Sequence, residues 1–158
     1  MTERLTPDWE FIADGVMGGV SQGSLTTEKR KGRTAVRLYG EVSTENNGGF
    51  LQMAFDINAS GSAYDASRWT GIEVDVLGNG ETYEMRLRTN ELDKPWQSFR
   101  QAFQADKDWR TVQLPFADFT AHRHDLAFDP AHLRRLGVLA VGREFHADIA
   151  LAQVRFYN

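Results

Sequence analysis

The residues best suited to binding chemistry are three arginines near a tryptophan in the middle of the chain. Arg86 and Arg88 alternate with apolar residues, so both would lie on one side of a strand. The next strand would place Arg100 beside them, through a connection that contains Trp96. Guanidinium groups hold carboxylates and phosphates through paired hydrogen bonds. The pattern therefore predicts a surface for a carboxylate, a phosphate or the acidic patch of a partner.

The same arginines also fit an ordinary interpretation, which we favour. Glu73, Asp75 and Glu84 could balance them on a solvated sheet face. Charged residues on one face of an antiparallel sheet are usual.

Two glycine-rich stretches form the second group of candidates. DGVMGGVSQG, residues 14–23, matches neither the dinucleotide fingerprint nor the P-loop, and SLTTEKR after it has the character of a strand. We predict that these glycines turn one strand into the next, with an anion-binding nest of N–H groups as the alternative. NNGG at 46–49 predicts a β-hairpin or a bulge. Its asparagine amides could also bind sugar hydroxyls or a partner's backbone.

No arrangement typical of an enzyme emerges from the sequence. The chain lacks cysteine, a G-x-S-x-G elbow and an H-E-x-x-H motif. His122, His124 and Asp125 stand close together, but a metal site needs three or four convergent ligands, and a surface loop is the favoured interpretation. We expect no catalytic residue, no metal and no cofactor. A hydrolase or lyase on the arginine-lined face is the alternative.

Length and composition predict one domain spanning residues 1–158. The net charge of −4 argues against nucleic acid as a partner. No apolar run approaches the roughly 20 residues that span a bilayer. The N-terminus resembles no signal or transit peptide, so we expect a cytoplasmic location.

Period-two alternation predicts most of the secondary structure. Val36, Leu38 and Val42 would share one face, as would the apolar residues of GIEVDVLG and TYEMRLRT. LGVLAVG is apolar on both faces, which indicates a strand covered on both sides. Short helical turns are expected only at 115–119 and 129–135. The sequence therefore predicts an all-β fold, an antiparallel sandwich or barrel.

The two glycine-rich stretches together also carry a family resemblance. WEFIADGVMGGVSQG at 9–23, followed by YGEVSTENNGGF at 39–50, resembles the complex I intermediate-associated protein family, named for its thirty-kilodalton mitochondrial member. WRTVQLPFADF and VGREFHADIALAQVRFY are similar to that family's closing strands. The signature residues of the family correspond here to Asp14, Gly15, Met17, Gly18, Gly19, Ser21, Asn46, Asn47, Gly48, Gly49 and Phe50.

This resemblance implies a galactose-binding-domain-like jelly roll, which is an antiparallel β-sandwich. It also implies a non-enzymatic, chaperone-like assembly factor for NADH:ubiquinone oxidoreductase (respiratory complex I) or another protein complex. Because no targeting extension precedes the motif, the chain resembles a bacterial or otherwise free-standing version of the domain. A carbohydrate-binding or small-ligand-binding module is the alternative function.

The resemblance and the glycine spacing also lead to a structural prediction. We expect the glycines of the first stretch to let the N-terminal segment cross tightly against the NNGG turn. Met17 would pack between them, and Asp14 and Ser21 would satisfy local backbone N–H groups.

Overall fold

The computed structural model describes residues 1–158, apart from the side chains of Val16, Met17 and Asn47. Twelve strands and four short 3-10 turns make up the regular structure. The strands are β1 (Thr2–Arg4), β2 (Glu10–Ala13), β3 (Gln22–Arg30), β4 (Arg33–Val42), β5 (Phe50–Asp56), β6 (Gly71–Leu77), β7 (Thr82–Thr89), β8 (Ser98–Gln104), β9 (Arg110–Pro115), β10 (Thr120–His122), β11 (Leu133–Val141) and β12 (Phe145–Tyr157).

The strands form two antiparallel sheets. The first sheet has the order β3-β4-β12-β6-β9, with β1 added beside β12, and the second has the order β10-β8-β7-β11-β5-β2. One apolar cluster fills the space between them, and it draws on both sheets through Leu38, Ile149, Met85 and Val138. The all-β antiparallel sandwich that the sequence predicts is confirmed.

The alternation in the sequence predicts correctly which side chains enter this core. Ile72, Val74 and Val76 of β6 are fully buried. Tyr83, Met85 and Leu87 of β7 are buried in the same way, because a strand that covers a core on one side alternates with period two. The predicted strand at 136–142 is buried on both sides. On its outer side, Gly137 lies directly against the side-chain amide of Gln52.

Both predicted helical turns are present as 3-10 turns. One covers Phe116–Asp118. The other is shorter than predicted, Pro130–His132, because β11 begins at Leu133. The Asp129 carboxylate caps this turn by accepting the N–H of Ala131 at 3.0 Å. Two further turns, Asp14–Met17 and Glu45–Asn47, lie within the glycine-rich stretches.

The predicted β-hairpin at NNGG is wrong. The strands on either side of it, β4 and β5, belong to different sheets, so the turn carries the chain across the sandwich. Asn46 adopts left-handed backbone angles and Gly49 has a φ of +136°. A hairpin would pair β4 with β5, whereas here β4 pairs with β3 and β12.

In the part of the chain that the structure describes, no helix is long and apolar enough to cross a membrane.

Candidate functional site

Asp14 is the point at which the two glycine-rich stretches meet. Its side chain is completely buried. One carboxylate oxygen accepts the backbone N–H of Ser21 at 3.0 Å. The other accepts the Ser21 hydroxyl at 2.5 Å, the Gly49 N–H at 2.6 Å and the Phe50 N–H at 3.3 Å. Asp14 therefore ties the turn after β2 to the start of β5, 35 residues further along the chain.

Two glycines leave room for this carboxylate. A Cβ on Gly19 would lie 2.5 Å from the Asp14 Cγ, and a Cβ on Gly48 would lie 2.5 Å from an Asp14 carboxylate oxygen. The same Cβ on Gly48 would also approach the Cα of Gly19 to 2.9 Å. The predicted tight crossing of the two stretches is therefore present, with the Asp14 carboxylate between them.

Ser21 extends the contact to a third segment. Its hydroxyl accepts the Ser43 N–H at 2.8 Å and lies 3.1 Å from the Ser43 carbonyl. Gly18, with a φ of +84°, ends the first turn and donates its N–H to the Gly15 carbonyl. A left-handed φ at this position favours glycine.

The electrostatics of Asp14 keep it ionised. Burial alone would raise the pKa of this carboxyl, but the hydrogen bonds from Ser21, Gly49 and Phe50 outweigh burial and lower the pKa below its ordinary value. All of these donors are groups of the protein itself, so the cluster stabilises the fold by holding the segments together.

Asn46 is exposed at the turn. The predicted packing of Met17 and the predicted amide chemistry of Asn47 lie outside the described side chains.

The second candidate is the outer side of the second sheet around Arg86, Arg88 and Arg100, which we call the arginine face. The predicted pairing of β7 with β8 is confirmed, and Arg86 and Arg100 are register partners. Glu84 is the only carboxylate bonded to these arginines within the described residues. It accepts Arg86 at 2.9 Å and lies 3.6 Å from the Arg100 guanidinium. Arg88 donates to two backbone carbonyls, those of Gln97 and Lys94.

The expectation that Glu73 and Asp75 balance these arginines is wrong, because both lie on β6 in the other sheet. There, Arg155 donates to Glu73 at 2.8 Å and to Asp75 at 2.7 Å. Arg33 adds a contact to Asp75 at 2.8 Å. These bonds lower the pKa of the Asp75 carboxyl far below its ordinary value, with Arg155 as the largest cause. Arg37 pairs with Asp148 on the same surface. The outer side of the first sheet is thus a network of matched charges.

Two further side chains, Ser98 and His122, complete the arginine face, and the sequence analysis considered His122 only as a metal ligand or a surface-loop residue. His122 on β10 is the register partner of Ser98. Burial, followed by the charges of Arg100 and Arg86, lowers the pKa of His122, so its imidazole is neutral near pH 7. Ser98 is 4% exposed, and its hydroxyl has no hydrogen-bond partner among the described residues.

Two loops beside the arginine face expose large apolar side chains. Trp96 is 56% exposed in the loop that Arg88 holds through two carbonyls. Leu126 is 46% exposed and donates its N–H to His124, whose other ring nitrogen bonds the Ser98 carbonyl at 2.8 Å. Both loops are therefore anchored beside the start of β8. The other tryptophans are buried or half-buried.

A separate cleft opens where β4 and β1 diverge along β12. Its volume is about 610 Å³. Trp9 and Leu5 contribute its apolar lining, and threonines such as Thr27 and Thr34 contribute hydroxyls. Arg4 lies at the same opening.

The sequence profile described as complex I intermediate-associated protein 30 matches residues 2–148, which is nearly the whole chain. The chain belongs to the complex I intermediate-associated protein 30 family. The two glycine-rich stretches joined at Asp14 are the segments on which the resemblance rested. No curated protein matches this member of the family.

Solved structures similar to this family member include carbohydrate-binding modules. A family 11 module of the cellulase Lic26A-Cel5E of Clostridium thermocellum has a TM-score of 0.80 and 11% identity, over 100% of this chain and 95% of that one. A family 30 module of the cellulase Cel9D-Cel44B of Clostridium thermocellum has a TM-score of 0.68 and 14% identity, over 100% and 98% of the two chains. At this identity the likeness shows the shared jelly-roll sandwich.

Proposed function

We propose that this protein is a non-catalytic binding module that acts as an assembly factor for respiratory complex I, with a protein as its partner. The observation that carries the proposal is the family match across residues 2–148. The chemistry of the chain agrees with it. The Asp14 carboxylate accepts hydrogen bonds from the protein's own donors and is unsuited to acid–base work, and the half-buried guanidinium groups of the arginine face suit binding.

Deletion of the gene in its native host tests this function. Native gels of the respiratory membranes should show less assembled complex I and an accumulation of incomplete assemblies. Re-expression of the wild-type chain should restore the assembled complex. A deletion strain that builds complex I to the normal level would contradict the proposal.

The cleft beside Trp9 supports carbohydrate or small-ligand binding as a second candidate function. An indole ring next to threonine hydroxyls offers stacking and hydrogen bonding, which are the two contacts that a sugar ring makes. The similar carbohydrate-binding modules show that the same sandwich occurs in sugar-binding proteins.

Titration of the protein with a panel of neutral oligosaccharides, followed through tryptophan fluorescence, tests the second candidate. Binding at the cleft should weaken in Arg4→Ala and Thr34→Val, since both residues line it. Trp96→Ala, which removes an indole that does not line the cleft, is the control. A panel that leaves the fluorescence unchanged would remove this candidate.

A further inference from the structure

We propose that the arginine face docks a glutamate- or aspartate-rich segment of a partner protein that also carries large apolar side chains. The assignment rests on the binding function proposed above and adds the location of the site and the chemistry of its partner.

The first argument is the imbalance of charge on this surface. Arg86 and Arg100 share one bonded carboxylate, that of Glu84, and Arg88 bonds two backbone carbonyls and no carboxylate among the described residues. On the opposite side of the sandwich, by contrast, Arg37 and Arg155 each hold carboxylates of their own. The whole molecule is negative, with a net charge of −4. A positive surface on an acidic protein attracts and orients an acidic partner.

The second argument is the register of the two strands. Arg86 and Arg100 stand directly opposite each other on β7 and β8. Like charges at facing positions of neighbouring strands destabilise a sheet. Glu84 already lies between them, but it accepts Arg86 at 2.9 Å and stands 3.6 Å from the Arg100 guanidinium, so one carboxylate serves two guanidinium groups. A partner's carboxylate bound at Arg100 would offset the remaining repulsion, and a guanidinium can donate two hydrogen bonds to it.

Two exposed apolar side chains beside the arginine face, Trp96 and Leu126, favour a protein segment over an acidic polysaccharide as the partner. Both lie in the loops anchored beside β8, and we call them the apolar rim. An indole can stack on a sugar, but an aliphatic side chain gains little from a hydroxylated ring. A peptide with large apolar side chains can cover both residues, and a buried aromatic anchor is typical of protein interfaces.

The test titrates the full chain with three probes by isothermal calorimetry. The first is a capped peptide of glutamates interspersed with leucine and phenylalanine. In the second peptide serine replaces the apolar residues, and the third probe is polygalacturonate. We expect the first peptide to bind best and to weaken as salt is raised, because the contact is between exposed charges. Arg100→Glu should weaken that binding by about tenfold or more.

Arg110→Glu is the control, since Arg110 is an arginine on the first sheet whose side chain is more exposed than that of Arg100 (66% against 43%). It should keep the wild-type affinity, and Trp96→Ala should lose affinity for the first peptide alone. Melting temperatures of the variants confirm that each is folded. Equal binding by Arg100→Glu and wild type would overturn the site. If the serine peptide bound as tightly as the first peptide, the claim that the partner carries large apolar side chains would be overturned. If polygalacturonate bound more tightly than either peptide, the claim that the partner is a protein would be overturned.

The outcome is separable from that of the deletion experiment. A normal complex I level in the deletion strain together with strong peptide binding would contradict the assembly function and support the docking site on the arginine face. Impaired assembly without peptide binding would support the assembly function and contradict the docking site.

Discussion

Asp14 shows how one buried carboxylate can hold together segments that are far apart in the chain. Its oxygens accept three backbone N–H groups and one hydroxyl, and two of the N–H groups belong to the start of β5. The sequence predicted that Asp14 would satisfy local N–H groups. It could not reveal the bond to Gly49, because nothing in the local pattern shows which distant segment supplies the donor.

Asp14→Asn should therefore destabilise the fold. An amide retains one acceptor oxygen and turns an NH₂ group toward backbone N–H donors, which leaves buried groups unsatisfied. We expect a loss of about 2 to 3 kcal/mol in the free energy of unfolding, measured with urea. Asp108→Asn is the control, because that carboxylate is almost fully exposed. Equal stabilities of the two variants would contradict the role given to Asp14.

The same carboxylate should make stability depend on pH. Its pKa is lower in the folded protein than in the unfolded chain, so the unfolded chain binds more protons as the solution is acidified. The stabilisation is complete above the ordinary pKa of aspartate and is lost as the pH falls through the folded value. Unfolding measured between about pH 5 and about pH 2 should show a steeper fall for wild type than for Asp14→Asn. Parallel curves would refute this account.

At the scale of elements, the strands were predictable and some of their connections were not. Alternation in β4, β6 and β7 identified the buried faces, since it depends only on neighbouring residues. The prediction for the NNGG turn was wrong because glycine and asparagine favour tight turns both in a hairpin and in a connection that crosses between sheets. Long-range pairing decides between them, and here β5 pairs with β2 and β11. The short strands β1, β2 and β10 contain too few residues to show a period.

The crossing of the two glycine-rich stretches gives a test within a single motif. Gly19→Ala places a methyl group against the Asp14 carboxylate, whereas Gly15→Ala meets no atom within 4 Å. We expect Gly19→Ala to lower the unfolding free energy by about 1 to 3 kcal/mol, as overpacking does. Gly15→Ala should have little effect. The melting temperatures of the two variants provide the comparison, and the reverse order would contradict the tight crossing.

At the scale of the whole molecule, the two outer sheet faces differ in how their charges are used. The first sheet pairs Arg33, Arg37 and Arg155 with carboxylates, including the buried Asp75. The arginine face has three guanidinium groups and one carboxylate bonded to them, that of Glu84, among the described residues. The sequence predicted the β7–β8 pairing that brings Arg86 and Arg100 together, but it assigned Glu73 and Asp75 to the wrong sheet. Loop residues such as Leu126 follow no periodic pattern, so their place at the rim could not be predicted.

This difference predicts opposite responses to the loss of an arginine. Arg155→Gln should destabilise the protein by about 3 to 5 kcal/mol, because it leaves the buried Asp75 carboxylate without its main partner. Arg100→Gln should change stability by less than about 0.5 kcal/mol, since its contact with Glu84 is long and exposed. Urea unfolding of both variants checks the contrast. A large loss in Arg100→Gln would show that the arginine face is structural.

Complementation of the deletion strain tests the central claim most directly. The strain receives the wild-type chain, the double variant Arg86→Glu/Arg100→Glu or the control Arg110→Glu, and assembled complex I is measured on native gels. The account predicts full restoration by the wild type and by Arg110→Glu. It predicts little restoration by a folded and equally expressed double variant. Full restoration by all three chains would contradict the claim that the protein assists assembly through its arginine face.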